Sequence, residues 1–410
     1  MNRIGAIKQG PGDRLPHARV LMYSHDTFGL GHLRRCRTIA HALVDRFKGV
    51  QILIVSGSSI AGAFEFRTRV DFLKVPSIIK LMNGEYTPLA VHTDLHETLD
   101  LRRSLILSTA ESFQPDLLIV DKEPLGLRGE LEPTLRRLRD MGTTLVLGLR
   151  DVMDSPRLLA AEWLGPDMLA KMEALYHQVW VYGPADFYDP LQGLEVPPAL
   201  RERLRWTGFL KRELPAGIPH HEALPDNALL LTTGGGGDGA GLVRQVIDAY
   251  AHDPGLTSPV VLVLGPFMRA EDREDIRRRA APHAAFRLVD FDNRLEAVMD
   301  SASAVVSMGG YNTFCEILSF DRRALIVPRT QPREEQLIRA RRAAELGLID
   351  MLLPEEAADP ATMATALRRL AARPRPSQTE YGARPLDGLA TIGDLVQDIM
   401  LARVAATLRH

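Results

Sequence analysis

Ser307-Met308-Gly309-Gly310-Tyr311-Asn312-Thr313-Phe314-Cys315-Glu316 is the stretch on which the fold turns. It follows the apolar run Ala304 to Val306 and opens a helical segment, so it reads as strand, glycine turn and helix start. Gly309 and Gly310 let the backbone approach a ligand closely, and the amides at a helix start favour an anion such as phosphate. Ser307, Asn312 and Thr313 flank that turn. Glu316 lies one turn into the helix, where a carboxylate is placed to accept two hydrogen bonds from neighbouring ribose hydroxyls. The same pattern also suits a plain βα turn with an ordinary surface glutamate.

Outward from this stretch, short apolar runs alternate with helical segments. Strands are expected at Ala228 to Leu231, Val260 to Leu264, Arg287 to Val289 and Ala324 to Val327, with helices at Leu242 to Tyr250, Ala270 to Ala280, Thr313 to Phe320 and Glu334 to Glu345. The first half repeats the plan. Its strands are expected at Arg19 to Ser24, Gln51 to Val55, Phe72 to Val75, Asp116 to Val120, Thr144 to Gly148 and Val179 to Tyr182. Its helices are expected at His32 to Phe47, Leu95 to Phe113 and Glu130 to Asp140. Continuous apolar strands between helices indicate parallel sheets covered on both faces. The expected class is therefore α/β, with two Rossmann-like domains whose parallel sheets face across a cleft. The expected organisation is a flexible N-terminus (1–17), a first domain (18–208), a linker (209–226) and a second domain (227–372). A Pro-rich linker (373–388) then precedes a helix (389–410) that returns to the first domain.

Three further segments carry chemistry-bearing residues. Gly234 to Gly239 is a second glycine loop between strand and helix, and Gly235, Gly236 and Gly237 suit close passage past a ligand; a flexible turn is the alternative. No Gly-Lys-Ser/Thr follows, which excludes a Walker A loop, and the spacing disfavours a dinucleotide fingerprint. In Phe28-Gly29-Leu30-Gly31-His32-Leu33-Arg34-Arg35, Gly31 shapes the loop and His32 opens the helix after the first strand. A helix start disfavours imidazolium, so His32 reads as a neutral general base or, equally, as a cap. Asp121 and Asp151 end apolar strands of the first half and are expected to face the cleft, for chemistry or for local pairing. In Pro328-Arg329-Thr330-Gln331-Pro332-Arg333-Glu334-Glu335-Gln336, the polar groups of Glu335 and Gln336 are in reach of sugar hydroxyls.

Composition excludes several classes. The 410 residues are 45% hydrophobic and 25% charged, ordinary for a globular protein of two domains, and a net charge of −2 argues against nucleic acid as a partner. Cys36 and Cys315 are the two cysteines and form no CxxC pair, so neither a disulfide framework nor a zinc site is indicated. No stretch has the length of a membrane span and the N-terminus lacks a signal-peptide core. A cytoplasmic location follows, with peripheral contact at the inner membrane face left open.

The C-terminal half resembles glycosyltransferase family 28. The resemblance is carried by S-M-G-G-Y-N-T-F-C-E-I-L from Ser307, the strand A-L-I-V-P-R from Ala324, E-E-Q-x-x-R-A from Glu334 and the E-L-G that ends at Gly347. It implies a GT-B fold and an inverting transferase. In that family the positions matching Ser307 to Gly310 hold a diphosphate, Glu316 holds the ribose, and Glu335 and Gln336 lie near the sugar. The donor is a UDP-sugar, for instance of N-acetylglucosamine or a related hexose. The acceptor is a glycan, a lipid-linked glycan or a small molecule. No cofactor and no metal are expected. Two departures stand out: Glu335 replaces a usual glutamine, and Met308 stands near a position that is usually basic. The loop around His32 is also similar to that of nucleotide-sugar hydrolases of pseudaminic acid synthesis. A hydrolase, a UDP-N-acetylglucosamine 2-epimerase-like enzyme and a non-catalytic nucleotide-sugar-binding protein are the other readings. The expected base is His32, with Asp121 or Asp151 as substitutes.

Overall fold

The computed structural model describes residues 15, 17–25, 30–80, 86–89, 94–163, 167–214, 224–225, 227–235, 237–290 and 295–407. Gly236 and most of the expected N-terminal tail lie outside them. The N-terminal domain runs β1 (Arg19–Ser24), α1 (Gly31–Arg46), β2 (Gln51–Ser56), β3 (Val70–Lys74), β4 (Ile78–Lys80), β5 (Tyr86–Pro88), α2 (Leu95–Phe113) and β6 (Leu117–Asp121). It continues through α3 (Glu132–Asp140), β7 (Thr144–Arg150), α4 (Pro156–Glu162), α5 (Met168–Leu175), β8 (Gln178–Tyr182), α6 (Pro198–Arg201) and β9 (Leu204–Trp206). Seven of these strands form one parallel sheet in the order β3-β2-β1-β6-β7-β8-β9.

The C-terminal domain runs β10 (Leu229–Thr232), α7 (Ala240–His252), β11 (Val260–Val263), α8 (Ala270–Ala280), β12 (Phe286–Val289), α9 (Leu295–Ser301), β13 (Ala304–Ser307) and α10 (Tyr311–Ser319). There follow β14 (Arg323–Ile326), α11 (Glu335–Glu345), β15 (Asp350–Met351), α12 (Pro354–Ala357), α13 (Pro360–Leu370) and α14 (Gly388–Thr407). Its parallel sheet has the order β12-β11-β10-β13-β14-β15. The architecture is α/β with two Rossmann-like domains.

Both sheets reverse their strand order at their first strand. β1 lies between β2 and β6, and β10 lies between β11 and β13. Loops diverge at such a reversal and leave a crevice at the carboxyl ends of the strands. The turns before α1, α7 and α10 leave the sheets at those ends.

The domains meet through buried side chains. Phe187, Phe209 and Phe314 pack with ring centroids 5.0 to 5.8 Å apart. The Tyr311 hydroxyl donates to the Tyr182 carbonyl at 2.8 Å, and Asn312 Nδ2 donates to the Gly31 carbonyl at 3.0 Å. Where the chain crosses between domains the two passages run side by side, with the Gly388 amide donating to the Phe209 carbonyl at 3.2 Å. A Cβ on Gly388 would lie 2.6 Å from the carbonyl oxygens of Gly208 and Phe209, so only glycine fits this crossing. α14 then lies against α1: Arg46 donates to the Ala390 carbonyl at 2.9 Å and pairs with Asp394 at 2.6 Å. Among the described residues no helix is long and apolar enough to cross a membrane.

Candidate functional site

The interdomain crevice holds a cavity of about 230 Å³ at the carboxyl ends of both sheets. Leu30, Gly31, His32, Arg34, Arg35, Phe64 and Arg150 line it from the N-terminal domain. From the other side come Thr232, Thr233, Gly234, Gly235, Gly237, Ser307, Gly309, Gly310, Asn312, Thr313, Glu335 and Gln336, among others. Four separate sequence segments singled out for chemistry are thus brought to one place. The two glycines of the Ser307 stretch have different reasons to be glycine. Gly309 has φ +71, and a Cβ there would meet Ile326 Cγ2 at 2.7 Å; Gly310 has φ −58, and a Cβ there meets nothing within 4 Å. Gly309 is needed by the fold, whereas the bare backbone at Gly310 borders only open cleft. α10 starts at that point with no capping side chain, so its first amides are offered to a ligand.

His32 sits in the first turn of α1, and Nδ1 lies 2.6 Å from Asp121 Oδ2 at the end of β6. With the proton on Nδ1 this contact is a hydrogen bond donated to the carboxylate, and that is the neutral tautomer in which Nε2 carries the basic lone pair. Arg35, one turn along α1, grips the same carboxylate through Nε at 2.7 Å and Nη2 at 2.5 Å. Burial would raise the Asp121 carboxyl, but the Arg35 guanidinium and the His32 contact outweigh it and hold Asp121 well below the usual carboxylate range. Asp121 therefore stays ionised and fixes the imidazole. His25 packs edge-on to His32 with centroids 5.6 Å apart, and burial lowers it to about 3, so it is neutral.

Several acids stand differently from expectation. Asp121 and Asp151 are both buried and neither lines the cleft, which corrects the reading that they face it. The reason is arginine pairing: Asp151 binds Arg339 of α11 through two contacts of 2.6 and 2.7 Å across the domain boundary. Glu316 is also fully buried and absent from the lining. Arg34 of the opposite domain reaches its Oε1 at 2.5 Å and Glu296 at 2.8 Å, while Glu316 Oε2 has no hydrogen-bond partner among the described residues. Burial raises the Glu316 carboxyl, and Arg34 offsets this only in part. Glu335 and Gln336 both serve Arg329: Glu335 Oε1 accepts from Nη2 at 2.5 Å and Gln336 Oε1 from the amide at 2.9 Å. Asn312 is committed at both ends, to Gly31 and to Arg212 Nη2 at 2.7 Å. Cys315 is buried and its thiol is pushed up to about 11, which excludes a nucleophilic role. Arg150 lines the cleft and is a polar residue that sequence reasoning missed; an arginine that ends a strand carries no motif of its own.

Residues 229–384 match the model of the glycosyltransferase family 28 C-terminal domain. The chain is 23% identical over 335 residues to an uncharacterized glycosyltransferase of Methanosarcina mazei, covering 75% of this chain and 79% of that one. The crystal structure of MurG from Acinetobacter baumannii superposes with a TM-score of 0.56 at 13% identity, covering 93% of this chain and 99% of that one. LpCGTa, crystallised in complex with UDP, superposes with a TM-score of 0.57 at 15% identity, covering 94% and 99%. The chain has the fold of GT-B glycosyltransferases. The similarity to glycosyltransferase family 28 lies in residues 229–384, and GT-B glycosyltransferases use nucleotide-sugar donors.

Proposed function

We propose that the protein transfers a sugar from a UDP-sugar to an acceptor hydroxyl with inversion, with His32 as the general base. The observation that carries this reading is the His32–Asp121 pair at 2.6 Å, on the wall of the same cleft as the Gly309–Gly310 turn. Nε2 of His32 takes the acceptor proton as the acceptor oxygen attacks the anomeric carbon. The bond from that carbon to the diphosphate oxygen breaks, and UDP leaves with the electron pair. Asp121, held ionised by Arg35, stabilises the imidazolium that forms. The leaving diphosphate gains charge where the α10 amides converge, which is where fixed dipoles accelerate most. UDP as the nucleotide is supported by LpCGTa, whose crystals hold UDP. Glu316 Oε2, which has no hydrogen-bond partner among the described residues, is offered to the ribose once Arg34 shifts. Glu335 and Gln336 turn toward a hexose such as N-acetylglucosamine. The acceptor is a glycan, a lipid-linked glycan or a small molecule.

The test is UDP release from a panel of UDP-sugars, measured with and without candidate acceptors. Transfer predicts release that depends on acceptor, with the sugar recovered on it. Equal release without any acceptor would make the protein a hydrolase, and binding without release would make it a nucleotide-sugar-binding protein.

A further inference from the structure

Arg150 ends β7 and reaches the cleft from the N-terminal domain. Among the described residues four arginines line that cleft, and three are matched to carboxylates. Arg34 holds Glu296 and Glu316, Arg35 holds Asp121, and Arg329 holds Asp238 at 2.8 Å and Glu335 at 2.5 Å. Arg150 has no such ion pair among the described residues. Its Nη2 donates to the Met153 carbonyl at a long 3.3 Å, and its buried Nε has no hydrogen-bond partner among the described residues. Burial pushes the guanidinium below its ordinary value; Glu335 offsets this in part, while the cations Arg35 and Arg339 add to it. An arginine remains charged regardless, so the chain keeps at real cost a cation that Glu335 and Asp151 favour only from a distance, with no ion pair to either among the described residues. Across the cleft, the turns at Gly309–Gly310 and Gly234–Gly235 offer backbone amides, and Arg329, the one lining arginine of that side among the described residues, is spent on Asp238 and Glu335.

We propose that Arg150 is the counter-charge for the donor's diphosphate, supplied across the cleft by the N-terminal domain. This rests on the nucleotide-sugar reading of the cleft. Backbone amides of the C-terminal domain hold the diphosphate from one side and Arg150 neutralises it from the other. Donor binding therefore draws the two domains together. As the bond to the anomeric carbon breaks, the charge that develops on the departing diphosphate meets a guanidinium already in place. A carboxylate on the transferred sugar is the other source of negative charge that would suit Arg150.

The experiment is calorimetric titration of the full-length chain and of Arg150→Gln and Arg150→Lys with uridine, UDP, dTDP, UDP-glucose and UDP-glucuronate. Arg150→Gln should bind UDP about 10- to 100-fold more weakly, as loss of charge-assisted hydrogen bonds implies, with uridine affinity unchanged. Arg150→Lys should recover part of the loss. The salt dependence of UDP binding should become shallower in Arg150→Gln. The melting temperature of that variant should be unchanged or higher, because a buried unmatched cation is removed. Wild-type UDP affinity in Arg150→Gln, or an equal loss for uridine and UDP, would overturn the proposal. So would a loss confined to UDP-glucuronate, which would assign Arg150 to a sugar carboxylate. If the wild type binds dTDP and not UDP, only the choice of base fails and the same comparison is read with dTDP. If it binds neither diphosphate, the donor reading and the Arg150 proposal fall together.

Discussion

Substitution at Gly310 separates a ligand-binding turn from a merely tight one. A valine there has φ −58 and ψ 154 available to it, and its Cβ meets nothing within 4 Å. The folded state should therefore lose no more than about 1 kcal/mol, chiefly from the poorer helix cap. The isopropyl group instead fills the space in which a diphosphate would meet the α10 amides. Losing two hydrogen bonds to a charged oxygen, at roughly 1.5–3 kcal/mol each, weakens UDP binding by at least ~100-fold. Gly309→Ala is the contrasting variant. Left-handed backbone costs an L-residue roughly 1–2 kcal/mol. The overlap at 2.7 Å with Ile326 adds roughly 1–3 kcal/mol of packing strain. Gly309→Ala should therefore melt early. The assay is thermal melting of both variants with calorimetric UDP titration of each. A stable Gly310→Val protein that binds UDP like the wild type would refute the reasoning.

Other outcomes follow from the same geometry. His32→Ala should lower kcat by roughly 10²–10⁴-fold with UDP affinity nearly unchanged, whereas a histidine that only packs would cost stability and leave kcat alone. Glu316→Gln should weaken UDP binding by about 1–3 kcal/mol if the carboxylate takes the ribose; a fall in melting temperature with unchanged affinity would confine Glu316 to the Arg34 pair. His25 has a folded pKa of about 3 against an unfolded value of about 6.5, so the unfolded chain binds the extra proton and stability falls with pH between those values. Its share is about 2 kcal/mol between pH 7 and pH 5, and denaturant titrations of His25→Gln over that range should show a correspondingly flatter decline.

Much of the fold was legible because continuous apolar strands and glycine turns recur in register with helices. Gln51–Ser56 and Leu117–Asp121 became central strands because both their faces are covered, and the apolar runs state this directly. Short elements escaped. β9 (Leu204–Trp206) has three residues, and the β4–β5 pair has three each, too few for a period to show. α13 was missed although Asp359 caps it through the Thr362 amide and Pro360 opens it, a signal present in the sequence and passed over beside the prolines that follow. The glycine loops and His32 could be placed on the cleft because each lies between a strand and a helix. Side-chain partners could not. The Arg35 grip on Asp121, the Arg339–Asp151 pair and the Arg34–Glu316 pair join residues 86, 188 and 282 positions apart, and no local pattern marks which arginine meets which acid.

In the proposed reaction the interdomain cleft holds a uridine diphosphate donor against the α10 turn. A crystal structure of the full-length chain grown with UDP tests it most directly. Density is expected for the diphosphate against the Gly309 and Gly310 amides, for the ribose beside Glu316 with Arg34 displaced, and with His32 Nε2 facing the place of the sugar. UDP bound away from these turns, or a cleft that stays empty at saturating UDP, would contradict it.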